Sequence, residues 1–191
     1  MKIVFATQNE NKLKEVQSMM PEGVELISLT TLGQEEELEE TSSTLEGNAE
    51  QKAVFVYEKF GMSCFADDTG LEIDALDGAP GVYSARYAGE AKSAEANMDK
   101  VLQELSGSTN RQAQFRTSIC LVSEGQKQFF DGIVKGRILS SRQGEKGFGY
   151  DPIFAPEGEE RSFAEMSQDE KNAISHRGRA IRALKEFLSQ K

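Results

Sequence analysis

The sequence predicts an α/β fold built on a long mixed β-sheet with flanking helices. Three observations carry that prediction. The chain opens as strand, short polar turn and amphipathic helix. Strand-like and helix-like segments then alternate. Finally, two long strand patterns, Gln112 to Val122 and Gln128 to Leu139, are separated by SEGQ, a hairpin reading. A strand–helix opening favours parallel pairing and a hairpin requires antiparallel pairing, so the sheet should contain both. A length of 191 residues suits one domain or two lobes sharing a sheet.

Taken in order, Lys2 to Thr7 (KIVFAT) reads as a buried strand that runs into QNENK. A helix follows with Leu13, Val16 and Met20 on one face. Val24 to Leu29 alternates as a second strand, and the acidic run EEELEE, Glu35 to Glu40, reads as solvated surface. From Leu45 to Phe60 the residues Ala49, Ala53, Val56 and Phe60 hold helical spacing, and Gly61 ends the helix. Met62 to Ala66 reads as a strand and Leu71 to Ile73 as a separate short one, with Thr69 and Gly70 turning the chain. GAPG, Gly78 to Gly81, is turn chemistry. Ser93 to Leu105 is an amphipathic helix. After the hairpin come a glycine-rich loop, GEKGFGYDP, and a brief strand at Ile153 to Ala155.

SQDE, Ser167 to Glu170, fits a capping box, so a short helix should start there. Ser175 offers a second N-cap ahead of a longer helix with Ile181, Leu184 and Leu188 inward. On one straight helix Lys171 and Arg177 would point about 120° apart. A break at Ser175 would let both aim at one site, and would place His176 and Arg177 at a helix N-terminus, which favours anions.

The formal net charge is −10, a sign that repels nucleic-acid polymers and anionic membranes. No apolar run reaches transmembrane length and no signal-peptide layout is present. Cys64 and Cys120 lie in apolar runs and are expected to be buried free thiols. A single histidine, His176, excludes a His-rich metal site by count.

The chemistry-bearing residues are loop-borne. There is no phosphate loop of the G-x-x-x-x-G-K-[ST] kind, no H-E-x-x-H and no G-x-S-x-G. Asn9 and Lys12 lie where the first strand meets the first helix, the end of a strand where α/β folds bind ligands, although Lys12 by itself reads as an exposed helix lysine. Glu40 and Asp68 offer two hard oxygen ligands of the kind Mg²⁺ takes alongside water and phosphate oxygens; each by itself also reads as an ordinary loop or turn carboxylate. Lys12, Lys52, Arg86, Lys171 and Arg177 sit in or near these loops and helix ends, a pattern suited to an anionic substrate. Phe148 in the glycine loop is open between core packing and base stacking.

The stretches TQNENK (Thr7 to Lys12), EET (Glu39 to Thr41), ADDTG (Ala66 to Gly70), GAPGVYSAR (Gly78 to Arg86), GFGYDP (Gly147 to Pro152) and SHRG (Ser175 to Gly178) occur in that order. Together they resemble the noncanonical purine nucleoside triphosphate pyrophosphatases, also called inosine triphosphatases or dITP/XTP pyrophosphatases. The resemblance runs from the first strand to the last helix.

It implies a cytoplasmic homodimer that splits ITP, dITP and XTP into the monophosphate and pyrophosphate with Mg²⁺, Mn²⁺ being a possible substitute. It implies a single domain over residues 1–191, folded as two α/β lobes with the active site in the cleft. By similarity, Asp68 is the general base and a metal ligand, and Glu40 a metal ligand. Thr7, Gln8, Asn9, Glu10, Asn11, Lys12, Thr69, Phe148, Gly149, Tyr150, Asp151, Lys171, His176 and Arg177 contact substrate. Lys52 aligns near the phosphates. Asp67 and Arg86 are supporting residues, Asp67 buttressing the loop or a neighbouring cation.

Two departures from the family pattern occur: T-Q-N stands where glycine is common after the threonine, and Thr69 where many members have serine. The implied reaction is attack of water on the α-phosphorus, with Asp68 accepting the proton. Arg177 or a backbone N–H at that helix end could donate to the purine O6, which adenine lacks. Rival readings are a nucleotide sensor without catalysis, and a related pyrophosphatase for modified pyrimidine or canonical nucleotides.

Overall fold

Alternating apolar residues need two faces to bury, and the strands here supply both. The structure is a computed structural model and describes residues 2–190. Its strands are β1 (Lys2–Phe5), β2 (Glu25–Ser28), β3 (Cys64–Ile73), β4 (Gln112–Ser123), β5 (Gln126–Ile138) and β6 (Phe154–Pro156). Its helices are α1 (Glu10–Met19), α2 (Leu45–Phe60), α3 (Ala94–Glu104), α4 (Gln168–Ile174) and α5 (His176–Ser189). Among the described residues the strands form one sheet in the order β2-β1-β3-β4-β5-β6. β1 pairs in parallel with β2 and β3, while β5 pairs antiparallel with β6, so the mixed sheet expected from the sequence is present.

The chain divides into two compact units. One comprises the residues up to Asp68, Thr117–Gly132 and Arg177 onward; the other comprises Thr69–Arg116 and Ile133–His176.

In the first unit the alternation of β1, β3 and β4 sorts the core into two layers. Ile3, Phe5, Phe65, Ile119 and Leu121 pack with Val16 of α1 and Ala180, Ile181 and Leu184 of α5. Their neighbours Val4, Ala6, Cys64, Ala66, Cys120 and Val122 pack with Ala49, Ala53 and Val56 of α2. Phe5 and Phe65 stack with ring centroids 4.6 Å apart, as side chains on adjacent strands of one face do. Cys64 and Cys120 are free and buried as expected, and burial pushes both thiols up to about 12.

The second unit has one core, in which Leu71 and Ile73 of β3, Phe115 of β4 and Val134 and Ile138 of β5 meet Met98 and Val101 of α3 and the Phe154–Phe163 cluster.

Local signals set the ends of the elements. α2 spans the predicted Leu45–Phe60, because Thr44 caps its N-terminus through Gly47 N–H and Gly61 takes the left-handed conformation after its last turn. Glu124 and Gly125 both have positive φ, the two-residue turn that suits the twist of a hairpin. The break at Ser175 is present: Ser175 is extended (φ −67°, ψ 158°), with the full capping box of Ser167 opening α4 before it and α5 starting at His176.

One sequence expectation fails. The two short strands with a turn at Thr69–Gly70 are a single ten-residue strand, Cys64–Ile73. Asp and Gly disfavour strand interiors on propensity, but tertiary partners override that weak preference here. Gly70 is needed for packing rather than turning, since a Cβ at this position would lie 2.7 Å from the carbonyl oxygen of Gly81.

The layered core yields a first test. Phe65→Ala removes a fully buried stacked ring and should lower stability by about 3–5 kcal/mol, read as a fall in the urea midpoint at constant m. An unchanged midpoint would contradict the packing described.

Candidate active site

Asp67 and Asp68 are neighbours in β3, so their side chains leave opposite faces of the sheet. Asp67 shares the parity of Phe65, facing α1 and α5; Asp68 shares the parity of Ala66, facing α2. The like-charge pair is thereby separated into two environments, both within the first unit up to Asp68.

On the α1–α5 face, Asp67 is 1 % exposed and both its oxygens are used. Lys12 Nζ donates to Oδ1 at 3.0 Å and Arg177 Nε to Oδ2 at 3.1 Å. Arg177 Nη1 also donates to Glu15, a carboxylate of α1 that is 3 % exposed. Burial opposes the charge of Asp67, but Lys12, Arg177 and Lys52 outweigh it and hold the carboxyl well below its usual range. Arg177 is driven the other way: burial disfavours its charge, and Glu15 and Asp67 more than restore it. Lys12 is lowered, because burial and the neighbouring cations Lys52 and Arg177 outweigh Asp67.

On the α2 face two residues one helical turn apart, Asn48 and Lys52, meet the acidic pair. Asn48 Nδ2 donates to Asp68 Oδ2 at 3.0 Å, and Asn48 Oδ1 accepts from Ser42 N–H at 2.8 Å. Lys52 Nζ donates to Glu40 Oε1 and, at 2.8 Å, to the Asp67 carbonyl. For Lys52 the burial penalty is outweighed by Glu40, Asp68 and Asp67, so its pKa is raised. Glu40 is lowered: Lys52 overcomes its burial. Asp68 is raised, chiefly by burial and further by Glu40, with Lys52, Lys12 and the Asn48 hydrogen bond acting against that.

Four carboxylates (Glu15, Glu40, Asp67, Asp68) thus face three cations (Lys12, Lys52, Arg177). Among the described residues no group of three or more His, Cys, Asp or Glu is arranged to hold a metal. Two electrostatically coupled carboxylates with an excess of negative charge do fit a hard divalent cation that keeps waters and takes phosphate oxygens.

The first loop is more internally bonded than the sequence suggests. Asn9 caps α1, its Oδ1 accepting from Asn11 N–H and Lys12 N–H, while its own N–H donates to Thr7 Oγ1. Gln8 is exposed in this loop. Its Nε2 fastens to the carbonyls of Glu35 and Glu36 at 3.0 and 2.7 Å, tying the loop to the acidic segment. Glu10 and Asn11 are exposed on the first turn.

In the second unit the glycine-rich loop folds around Asp151. Its Oδ2 accepts from Phe148 N–H and from Lys171 Nζ, each at 2.8 Å, and both charged side chains are buried. Lys171 Nζ lies 4.8 Å from the centroid of the Phe148 ring, a cation–π contact. Gly147 has φ +73°, and a side chain there would collide with the Asp151 carboxylate. Gly149 also has positive φ, and Tyr150 is buried with its hydroxyl donating to Ser84 O at 2.7 Å. His176 stacks on Phe115 at 4.6 Å. Thr69 is half-buried in β3, and Arg86 is half-buried beside the exposed Tyr83 ring. Lys171 pairs with Asp151, and Arg177 pairs with Asp67 and Glu15.

Two residues escape the sequence reading. Glu15 lies three residues after Lys12, on the same helix face, beside inward Val16; a carboxylate on that stripe is the available signal. Asn48 interrupts the interior of α2 next to Ala49, where asparagine is disfavoured unless its amide is engaged.

The Ham1 family model matches residues 3–187. A Flavobacterium psychrophilum protein named dITP/XTP pyrophosphatase is 54% identical over 188 residues, covering 98% of this chain and 99% of that protein. One of the same name from Porphyromonas gingivalis is 50% identical, covering 98% and 97%. Among solved structures, a HAM1 protein from Coxiella burnetii superposes with a TM-score of 0.92 at 38% identity, covering 100% of both chains. The Staphylococcus aureus Ham1 protein gives 0.90 at 40% identity, covering 100% of this chain and 99% of that one.

The buried Asp67 network makes a pH-dependent prediction. Its folded pKa is depressed, so its contribution is present above the unfolded carboxylate value of about 3.9 and is lost as pH falls through the folded value. Asp67→Asn leaves Lys12 and Arg177 undercompensated and should cost about 3–5 kcal/mol near neutral pH. Denaturant melts should show the gap to the wild type narrowing below about pH 4. A gap that stays constant into acid would contradict the network.

Proposed function

The chain belongs to the Ham1 family, and from that premise we propose that it hydrolyses the noncanonical purine nucleotides ITP, dITP and XTP to the monophosphate and pyrophosphate, clearing them from the nucleotide pool. The observation that carries the reading is Asp68. It is a buried carboxylate with a raised pKa, electrostatically coupled to Glu40 and flanked by Lys12 and Lys52, as a general base for attack on a polyphosphate requires.

In this reading Asp68 takes the proton of the attacking water, and Lys12 and Lys52 supply positive charge to the phosphates. Glu40 and Asp68 are the residues that would hold Mg²⁺, or Mn²⁺ in its place; such an ion offsets phosphate charge and orients water. Thr7, Gln8, Asn9, Glu10 and Asn11 line the phosphate side, and Thr69 adds a hydroxyl. Phe148, Gly149, Tyr150, Asp151, Lys171, His176 and Arg177 are substrate contacts in this reading, and a donor to the purine O6 rejects adenine. Arg86 supports the adjoining turn.

The whole chain acts as one catalytic domain, as a homodimer in the cytoplasm. No helix of the described residues is long and apolar enough to cross a membrane.

A panel of NTPs and dNTPs assayed with Mg²⁺ tests the proposal, following pyrophosphate against orthophosphate. ITP, dITP and XTP should be cleaved to pyrophosphate in preference to ATP and GTP, with activity abolished by EDTA and restored by Mg²⁺. Asp68→Asn should lower kcat by about 10²–10⁴-fold while the protein stays folded. Orthophosphate as product, preference for ATP, or nucleotide binding without turnover would each reject the reading.

A further inference from the structure

Asn48, on α2, contacts Asp68 and the backbone that follows Glu40, and is 1 % exposed. Its amide makes two hydrogen bonds of opposite sense. Oδ1 accepts from the Ser42 N–H, in the segment that follows Glu40, and Nδ2 donates to Asp68 Oδ2. The Ser42 N–H can only donate, so it demands the amide oxygen and leaves only the NH₂ to face Asp68. A flipped amide would oppose N–H to N–H on one side and oxygen to carboxylate on the other.

The Ser42 backbone is itself held. Thr41 N–H donates to Gln51 Oε1 at 3.0 Å, and Ser42 Oγ contacts the N-cap Thr44. The orientation of the Asn48 amide is therefore imposed by the start of α2.

We propose that Asn48 is a positioning residue for Asp68: by donating to Oδ2 it fixes the rotamer in which the carboxylate meets the attacking water. The inference rests on the base assignment made above. In the step it serves, water loses a proton to Asp68 and its oxygen bonds to the α-phosphorus. The bridging P–O bond breaks, and its electron pair leaves on pyrophosphate. The same residue joins Asp68 to the Glu40-bearing segment, so one side chain coordinates the spacing of the acidic pair.

Asn48→Asp separates the two bonds. It keeps an acceptor for the Ser42 N–H and loses the donor to Asp68. Steady-state kinetics on ITP should show kcat reduced about 10–100-fold with KM nearly unchanged. Amide exchange at Ser42 should stay near wild type, while the new carboxylate beside Asp68 lowers the thermal midpoint without unfolding the protein at the assay temperature. Asn48→Ala loses both bonds and should in addition speed Ser42 exchange. Wild-type kcat in Asn48→Asp, a change confined to KM, or loss of activity only in step with Ser42 exchange and unfolding would overturn the proposal. Asp68→Asn run in parallel keeps the two claims apart. If Asp68→Asn is inactive and Asn48→Asp is fully active, the positioning role alone fails. If Asp68→Asn turns over normally, the base assignment fails and this role falls with it.

Discussion

The buried Asp67 carboxylate is the constraint on which the first unit depends. An ion in the interior of a strand is tolerated only if cations reach it, and here they arrive from both flanking helices: Lys12 from α1 and Arg177 from the first turn of α5. Glu15 supplies the remaining counter-charge for Arg177. These contacts fix where α1 and α5 meet β3. They also let β3 run unbroken through two aspartates, a threonine and a glycine. Once that strand is continuous, period-2 geometry leaves Asp68 no choice of face, and it emerges against α2.

On that second face the logic is asymmetric. Asp67 is surrounded by cations that favour its charge, whereas Asp68 is met by an amide and by a nearby carboxylate, Glu40, so burial prevails and its proton affinity rises. One strand therefore carries a structural anion and a candidate base side by side. Asn48 and Lys52, one turn apart on α2, grip Asp68 and Glu40 respectively. A site built on a helix face and a strand is more rigid than one built on loops alone, which suits residues that must hold charge in place before substrate arrives.

Much of this was legible in the sequence because it is local. Thr44 and Gly61 bracket α2 at Leu45–Phe60, the hairpin turn lies at Glu124–Gly125, and Ser167 with Ser175 announces a helix, a break and a second helix. The motifs also pointed to the acidic pair and to Asp151, Lys171 and Arg177. What the sequence concealed is non-local. Asp67 is satisfied by residues 55 and 110 positions away, and Glu15 finds Arg177 across 162. Propensity therefore read the Asp-Asp-Thr-Gly stretch as the end of one strand and a turn into another. Asn48 itself, and the partners of Gln8, were hidden for a related reason: an amide signals nothing until its partners, Asp68 or the Glu35 and Glu36 carbonyls, are brought beside it.

The account turns on two adjacent carboxylates having opposite electrostatic settings. Carboxyl-carbon NMR titration of Asp67 and Asp68 in the metal-free protein measures that directly. Asp67 should stay ionised well below the ordinary carboxylate value of about 3.9, while Asp68 should take up its proton above it. If the two residues titrate together near the ordinary value, or in the reverse order, the division between a structural anion and a catalytic base is contradicted.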